Sequence, residues 1–141
     1  MNERDEQFLR RAIALAAAGR AAGEEPYGSL LVGADGSVIA EAYNTVLGDG
    51  DISAHPEFKL AKWASVNLSA AAAADTTMYT SCQPCSMCTG AIDRSGLGRV
   101  VFALSNEQFA RLEPASVFAS VPQVGPALFD EARVPLAGYY S

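Results

Sequence analysis

An α/β fold, a mixed sheet covered by helices, is what three features of this 141-residue sequence predict. Residues from about Arg4 to Arg20 place Phe8, Leu9, Ala12, Ile13 and Ala16 at helical spacing, giving one buriable face. Two apolar runs, Tyr27 to Val32 and Val38 to Tyr43, flank the turn-forming Ala34-Asp35-Gly36. A strand, a helix and a second strand then follow within about 27 residues, the length of a parallel crossover.

The first helix is expected to end near Gly19 or Gly23. The Asp-Gly turn makes the first two strands antiparallel, because it supplies the left-handed backbone that a tight hairpin needs. From His55 to Val66, the apolar Phe58, Leu60, Ala61, Ala64 and Val66 are interleaved with Lys59, Lys62 and Ser65, which predicts a helix packed on a sheet. The alanine run Ala70 to Ala74 either closes a helix or lines a tight turn. Thr77 to Thr80 reads as a short strand, Pro84 to Ser95 as a helix, and Arg99 to Leu104, with Val100-Val101-Phe102, as a buried strand parallel to the third. The remainder contains Pro114, Pro122, Pro126 and Pro135 and gives only weak signals, for two short helices and one strand.

Half of the residues are apolar, enough for one compact domain to bury a core. Ten Lys and Arg against sixteen Asp and Glu leave a net charge of -6, and a pI near 4.6 lacks the basic footprint of a nucleic-acid binder. The first eleven residues carry three arginines and three carboxylates, and no apolar run reaches about eighteen residues, so a cytoplasmic chain with neither leader nor membrane span is expected. Three cysteines within seven positions are too close together to staple a fold and point to reduced thiols serving as metal ligands or redox groups.

The chain's one histidine opens His55-Pro56-Glu57, and thirty residues later comes Pro84-Cys85-Ser86-Met87-Cys88. Pro84 suits the first position of a helix, where a missing N–H costs nothing, and Cys85 and Cys88 would then leave the same face of its first turn. The partial positive charge at a helix start favours the thiolates that ligation requires. With His55 they make three protein ligands, which on tetrahedral zinc leave one position for water; zinc lowers that water's pKa to about 7. Glu57, two residues from a ligand, is the candidate proton carrier. Cys82 forms a second, overlapping C-x-x-C pair with Cys85. It either completes a closed Cys₃His shell or stays off the metal as a buried thiol, and Pro84 favours the latter by leaving Cys82 outside the helix.

The order H-x-E followed by P-C-x-x-C is a signature of zinc nucleobase deaminases. With it stand Glu25-Pro26-Tyr27-Gly28, Tyr43-Asn44, Ser53-Ala54-His55-Pro56-Glu57 and the segment Tyr79 to Ile92. On these motifs residues of about 5 to 105 resemble the cytidine deaminase superfamily, in the branch of guanine, fungal-type cytosine and bacterial tRNA adenosine deaminases. The resemblance implies a three-layer α/β/α sandwich around a mixed five-stranded sheet of order 2-1-3-4-5. It implies a single zinc-dependent deaminase domain over 1–141, a homodimer or larger, with the segment of about 106–141 as pocket cover or dimer element.

Carried over by position, the resemblance implies His55, Cys85 and Cys88 as zinc ligands, Glu57 as proton shuttle, and Asn44, Tyr27, Ala54 and Pro84 against the substrate. Asn44 would hydrogen-bond the base, a task suited to a group that donates and accepts at once; otherwise it is a turn residue. Tyr27 would stack on the base or belong to the core of the first strand. The main-chain N–H of Cys85 would face the charge developing in the reaction. Many relatives have alanine at the position of Pro56 and glutamate at that of Gln83. Glu107, Asp130 and Glu131 are candidate acceptors for ring N–H or amino groups, or surface carboxylates; Tyr139 and Tyr140 are a packing tail or a lid.

The expected reaction is hydrolytic deamination of an amino-substituted heteroaromatic ring with release of ammonia. A tRNA substrate calls for Lys and Arg flanking the pocket, whereas this chain has two lysines, both on the second long helix, and only Arg111 and Arg133 in its C-terminal segment beyond residue 105. The expected substrate is therefore a free base of guanine or cytosine type or a related amino-azine. A free nucleoside, a tRNA adenosine and a non-catalytic zinc module are the alternatives.

Overall fold

The computed structural model describes residues 1–116 and 118–141. Helix α1 (Glu3–Ala21) begins at a reciprocal cap in which Asp5 N donates to Asn2 Oδ1 and Asn2 N donates to Asp5 Oδ2. Strands β1 (Gly28–Val32) and β2 (Val38–Tyr43) form the antiparallel hairpin the turn motif predicts. Gly36 sits at φ +83, and the Asp35 carboxylate accepts from the Ser37 N–H and hydroxyl. The short helix α2 (Val46–Asp49) precedes α3 (Pro56–Asn67), and the alanine run forms its own turn of helix, α4 (Ala70–Ala74), capped by Ser69. After them come β3 (Thr77–Cys82), α5 (Ser86–Ser95), β4 (Arg99–Leu104), α6 (Asn106–Leu112) and α7 (Phe129–Ala132).

The sheet order is β2-β1-β3-β4, with β1 antiparallel to both neighbours and β3 parallel to β4. The expected fifth strand is not formed among the described residues. The chain turns into α6 directly after β4, and the prolines beyond it each remove a ladder donor. From Arg111 to the end, the residues whose burial is described are exposed.

Helices cover both faces of the sheet. Leu30, Val32, Tyr79 and Val101 meet Leu9 and Ala12 of α1 on one face, with Phe8 and Leu15 at the margin. On the other, Leu31 and Met78 pack against Leu60, Ala61 and Ala64 of α3 and Ile92 of α5. β1 is buried along its whole length, which explains its near-continuous apolar run. At Gly28 it passes so close to α1 that a Cβ would lie 2.5 Å from Ala12 O and Ala16 N. Ile13 and Val66, assigned to buried faces from spacing, are exposed instead, because Leu9, Ala12 and Ala16 on α1, and Leu60, Ala61 and Ala64 on α3, already fill the contact stripes.

Asp5 ties the layers together. Its carboxylate accepts from the Tyr79 hydroxyl at 2.6 Å and from both terminal nitrogens of Arg99, at 3.1 and 2.7 Å. These bonds hold its carboxyl well below the usual aspartate range, the Arg99 bond being the strongest cause.

Candidate metal centre

The site lies where β3 ends and two helices begin. His55 is the N-cap of α3 and Cys85 the N-cap of α5, both in extended backbone, and these two helices pack side by side. Pro56 occupies the first turn of α3, where it needs no N–H partner. The expected helical start at Pro84 shifts: α5 begins at Ser86, because Cys85 keeps extended dihedrals (φ -69, ψ 171) and accepts the Thr89 N–H through its carbonyl. Cys85 and Cys88 nonetheless keep their one-turn spacing.

His55, Cys85 and Cys88 bring three ligand atoms together. Cys88 Sγ lies 3.4 Å and Cys85 Sγ 3.7 Å from His55 Nδ1, and the two sulfurs are 3.5 Å apart. Tetrahedral zinc, with bonds of about 2.3 Å to sulfur and about 2.0 Å to nitrogen, needs ligand atoms about 3.5–3.8 Å apart. The triangle fits one face of that coordination shell, and the donor set of two thiols and one imidazole suits Zn²⁺. The Cys88 thiol and the His55 imidazole hold the Cys85 thiol well below the usual thiol range, which readies a thiolate for a metal. Cys82 is outside this group. It is half-buried, and burial pushes its thiol up, as for a packing residue.

Glu57 projects from the first turn of α3 and is 6% exposed. Its Oε1 accepts from Ser29 Oγ at 3.0 Å and Thr80 Oγ1 at 3.2 Å. Burial pushes its carboxyl above the usual range, opposed by the Ser29 bond. Asn44 is fully buried after β2. Its N–H donates to Tyr27 O at 2.9 Å, its Oδ1 accepts from Val46 N, and its Nδ2 has no partner among the described residues. Thr45 N donates to Ala54 O, bringing the Asn44 loop against the segment that ends in His55. Lys59 fixes the same loop through Tyr43 O at 2.7 Å and Thr45 Oγ1 at 2.9 Å.

Three residues enter the site's surroundings without having been singled out in the sequence. Ser29 and Thr80 meet Glu57, and Phe109 on α6 sets its ring 6.0 Å from that of Tyr27, edge to face at 76°. Helix α6 is joined to the cysteine loop, since Asn106 N donates to Gln83 Oε1 and Asn106 Nδ2 to Pro84 O. Burial pushes the Tyr27 phenol up to about 12. Glu107 and Asp130 pair with Arg111 and Arg133 on the exposed surface, and Glu131 is exposed. Tyr139 and Tyr140 meet each other edge-on at 4.9 Å and remain exposed.

Comparison with known proteins agrees with this geometry. The family described as the cytidine and deoxycytidylate deaminase zinc-binding region matches residues 2–104. The chain belongs to this deaminase family. It is 33% identical to a probable cytosine deaminase of Schizosaccharomyces pombe, covering 99% of this chain and 94% of that one. It is 34% identical to a tRNA-specific adenosine deaminase of Haemophilus influenzae over 74% of this chain and 61% of that protein. The crystal structure of guanine deaminase from Bacillus subtilis superimposes with a TM-score of 0.76 at 32% identity, covering 99% and 94% of the two chains. Among the described residues no helix is long and apolar enough to cross a membrane.

Proposed function

We propose that this family member is a zinc-dependent hydrolase that removes the amino group of a free nucleobase of guanine or cytosine type, or of a related amino-azine, as ammonia. One observation carries the reading: a buried carboxylate, Glu57, held by two hydroxyls beside a His-Cys-Cys triangle of zinc dimensions. When bound, zinc supplies the Lewis acidity that makes water a nucleophile near neutral pH. His55, Cys85 and Cys88 would hold it, and Cys82, which lies outside their group, speaks against a closed Cys₃His shell.

Water adds to the ring carbon that bears the amine, and ammonia leaves. Glu57 takes one proton from the water and passes it to the ring nitrogen, then takes the remaining hydroxyl proton of the adduct and delivers it to the departing amine, which leaves the ring carbonyl and ammonia. Its burial raises its proton affinity toward the working range. Asn44 meets the base through its unpaired Nδ2, a buried donor whose unmet hydrogen bond is otherwise costly. Tyr27 offers a ring face to the base, and Ala54 and Pro84 border the pocket on the two loops that carry the ligands. The Cys85 N–H, at a helix start, faces the developing negative charge.

A small neutral substrate fits the charges. Lys59 is spent on the Tyr43 carbonyl and Thr45, Arg99 on Asp5 and Arg11 on Glu41, leaving these cations no phosphate to grip. The whole chain works as one deaminase domain in this reading, in a homodimer, with residues of about 106–141 covering the pocket or the partner.

The test is ammonia release from the zinc-loaded protein with guanine, cytosine, adenine, their nucleosides, amino-triazines and a tRNA anticodon hairpin. Turnover of one of the free bases or triazines is expected. Activity confined to nucleosides or to the hairpin would overturn the substrate class, and release from none of them would overturn the reaction.

A further inference from the structure

β1 and β3 place Ser29 directly opposite Thr80, so both side chains leave the same face of the sheet. One step along, the pair Leu31 and Met78 on that face packs beneath α3 and α5 in the apolar core. At the site end two hydroxyls replace this apolar layer, both fully buried, 2.8 Å apart. Each lies within hydrogen-bonding distance of the same atom, Glu57 Oε1. Two hydroxyl protons serve three short contacts. With the carboxylate ionised, every arrangement that satisfies both hydroxyls within the triangle directs at least one proton to Oε1. A buried hydroxyl pair needs such an acceptor, and core packing alone would be met by apolar side chains of the same size.

We propose that Ser29 and Thr80 are positioning residues for Glu57, a hydroxyl bridge spanning two strands that fixes the rotation of its carboxyl group by holding Oε1 and reserving the other oxygen for proton exchange with the substrate. The inference rests on the deaminase reading for its catalytic consequence, but the orientation of the carboxyl group can be observed without turnover. The device is built on the two central strands of the sheet, the most rigid support available to a side chain. Neither residue touches the metal ligands through any bond in the site, so removing them leaves the zinc-binding triangle intact.

The experiment compares Ser29→Ala, Thr80→Val, the double variant and Thr80→Ser, each zinc-loaded, by crystal structure, zinc content and steady-state kinetics on whichever base the wild type turns over. One zinc per chain is expected throughout. Thr80→Val and Ser29→Ala should each lower kcat about tenfold with KM little changed, and the double variant should fall short of the product of the two losses because both act on one oxygen. Thr80→Ser, which keeps the hydroxyl, should recover most of the rate. In the crystal structures the Glu57 carboxyl should be rotated or multiply placed in the double variant and single in the wild type. A double variant with Glu57 in its wild-type orientation would overturn the proposal whatever the activity. So would Thr80→Ser as impaired as Thr80→Val, or loss of zinc from the single variants. A wild type that releases no ammonia would overturn only the deaminase reading, and the orientation of Glu57 would still decide the role of the bridge.

Discussion

Cys88 Sγ stands 3.4 Å from His55 Nδ1, though the two residues are thirty-three positions apart in the chain. One comes from the first turn of α5 and the other from the cap of α3, so the contact exists only because those helices start side by side at one end of the sheet. Removing either ligand should therefore abolish zinc binding without unfolding the sheet. Elemental analysis of His55→Ala and Cys88→Ser is expected to give less than a tenth of the wild-type zinc. Cys82→Ser should keep one zinc per chain, and loss of the metal from it would show a Cys₃His shell.

Zinc retention should also depend on pH with a definite sign. Zinc competes with protons for the imidazole, and the Cys85 thiol raises the His55 proton affinity in the metal-free protein. Zinc affinity should fall as pH drops through and below neutrality, measured by competition with a chromophoric chelator. Affinity that is flat from pH 8 to pH 5 would argue against an imidazole ligand.

Asp5 provides a separate prediction, for stability. Its carboxyl titrates far below its unfolded value, so the native state gains from the ionised form. That gain is complete above the ordinary aspartate range and is lost progressively as pH falls below it toward the native value. Asp5→Asn should cost about 1–3 kcal/mol at pH 7, because the Tyr79 and Arg99 bonds lose their charged acceptor, and somewhat less at pH 3, where the gain has begun to be lost. Urea unfolding at pH 7 and pH 3 measures both; an equal loss at the two would contradict the assignment.

Most of the fold is legible in the sequence, and the reasons are local. The Asp-Gly turn specifies the β1–β2 hairpin, and Val100-Val101-Phe102 marks β4, because each is a short-range signal that tertiary contacts reinforce. The ligand triangle is legible for a different reason: a metal demands few residue types at fixed spacing. What the sequence hides depends on contacts between distant segments. Ser29 and Thr80 look like ordinary strand residues until the register sets them opposite each other. Phe109 lies in a helix that opens on a Ser105–Gln108 capping box, and nothing local shows that its ring meets Tyr27. The expected fifth strand fails although β4 lies at the sheet edge, because the chain turns into α6 and the prolines beyond it remove ladder donors.

Asn44 distinguishes a substrate contact from a turn residue. Its Oδ1 supports Val46 N locally while its Nδ2 is left unpaired. Asn44→Asp preserves the acceptor and removes the donor, so it should keep the fold and lower kcat/KM about a hundredfold, a loss of about 3 kcal/mol in transition-state binding. Kinetics together with thermal unfolding separate the two roles: a lower melting temperature with unchanged kcat/KM would leave Asn44 as a turn residue only.

The most direct test of the account is the Glu57→Gln variant, assayed for zinc and for ammonia release side by side. The amide keeps the size of the side chain and an oxygen for the hydroxyl contacts but neither takes up nor releases a proton in the working range. The variant should hold one zinc per chain while its turnover of the wild-type substrate falls by a factor of about 10²–10⁴. Ammonia release at the wild-type rate from a zinc-loaded Glu57→Gln protein would contradict the claim that this carboxylate moves the protons.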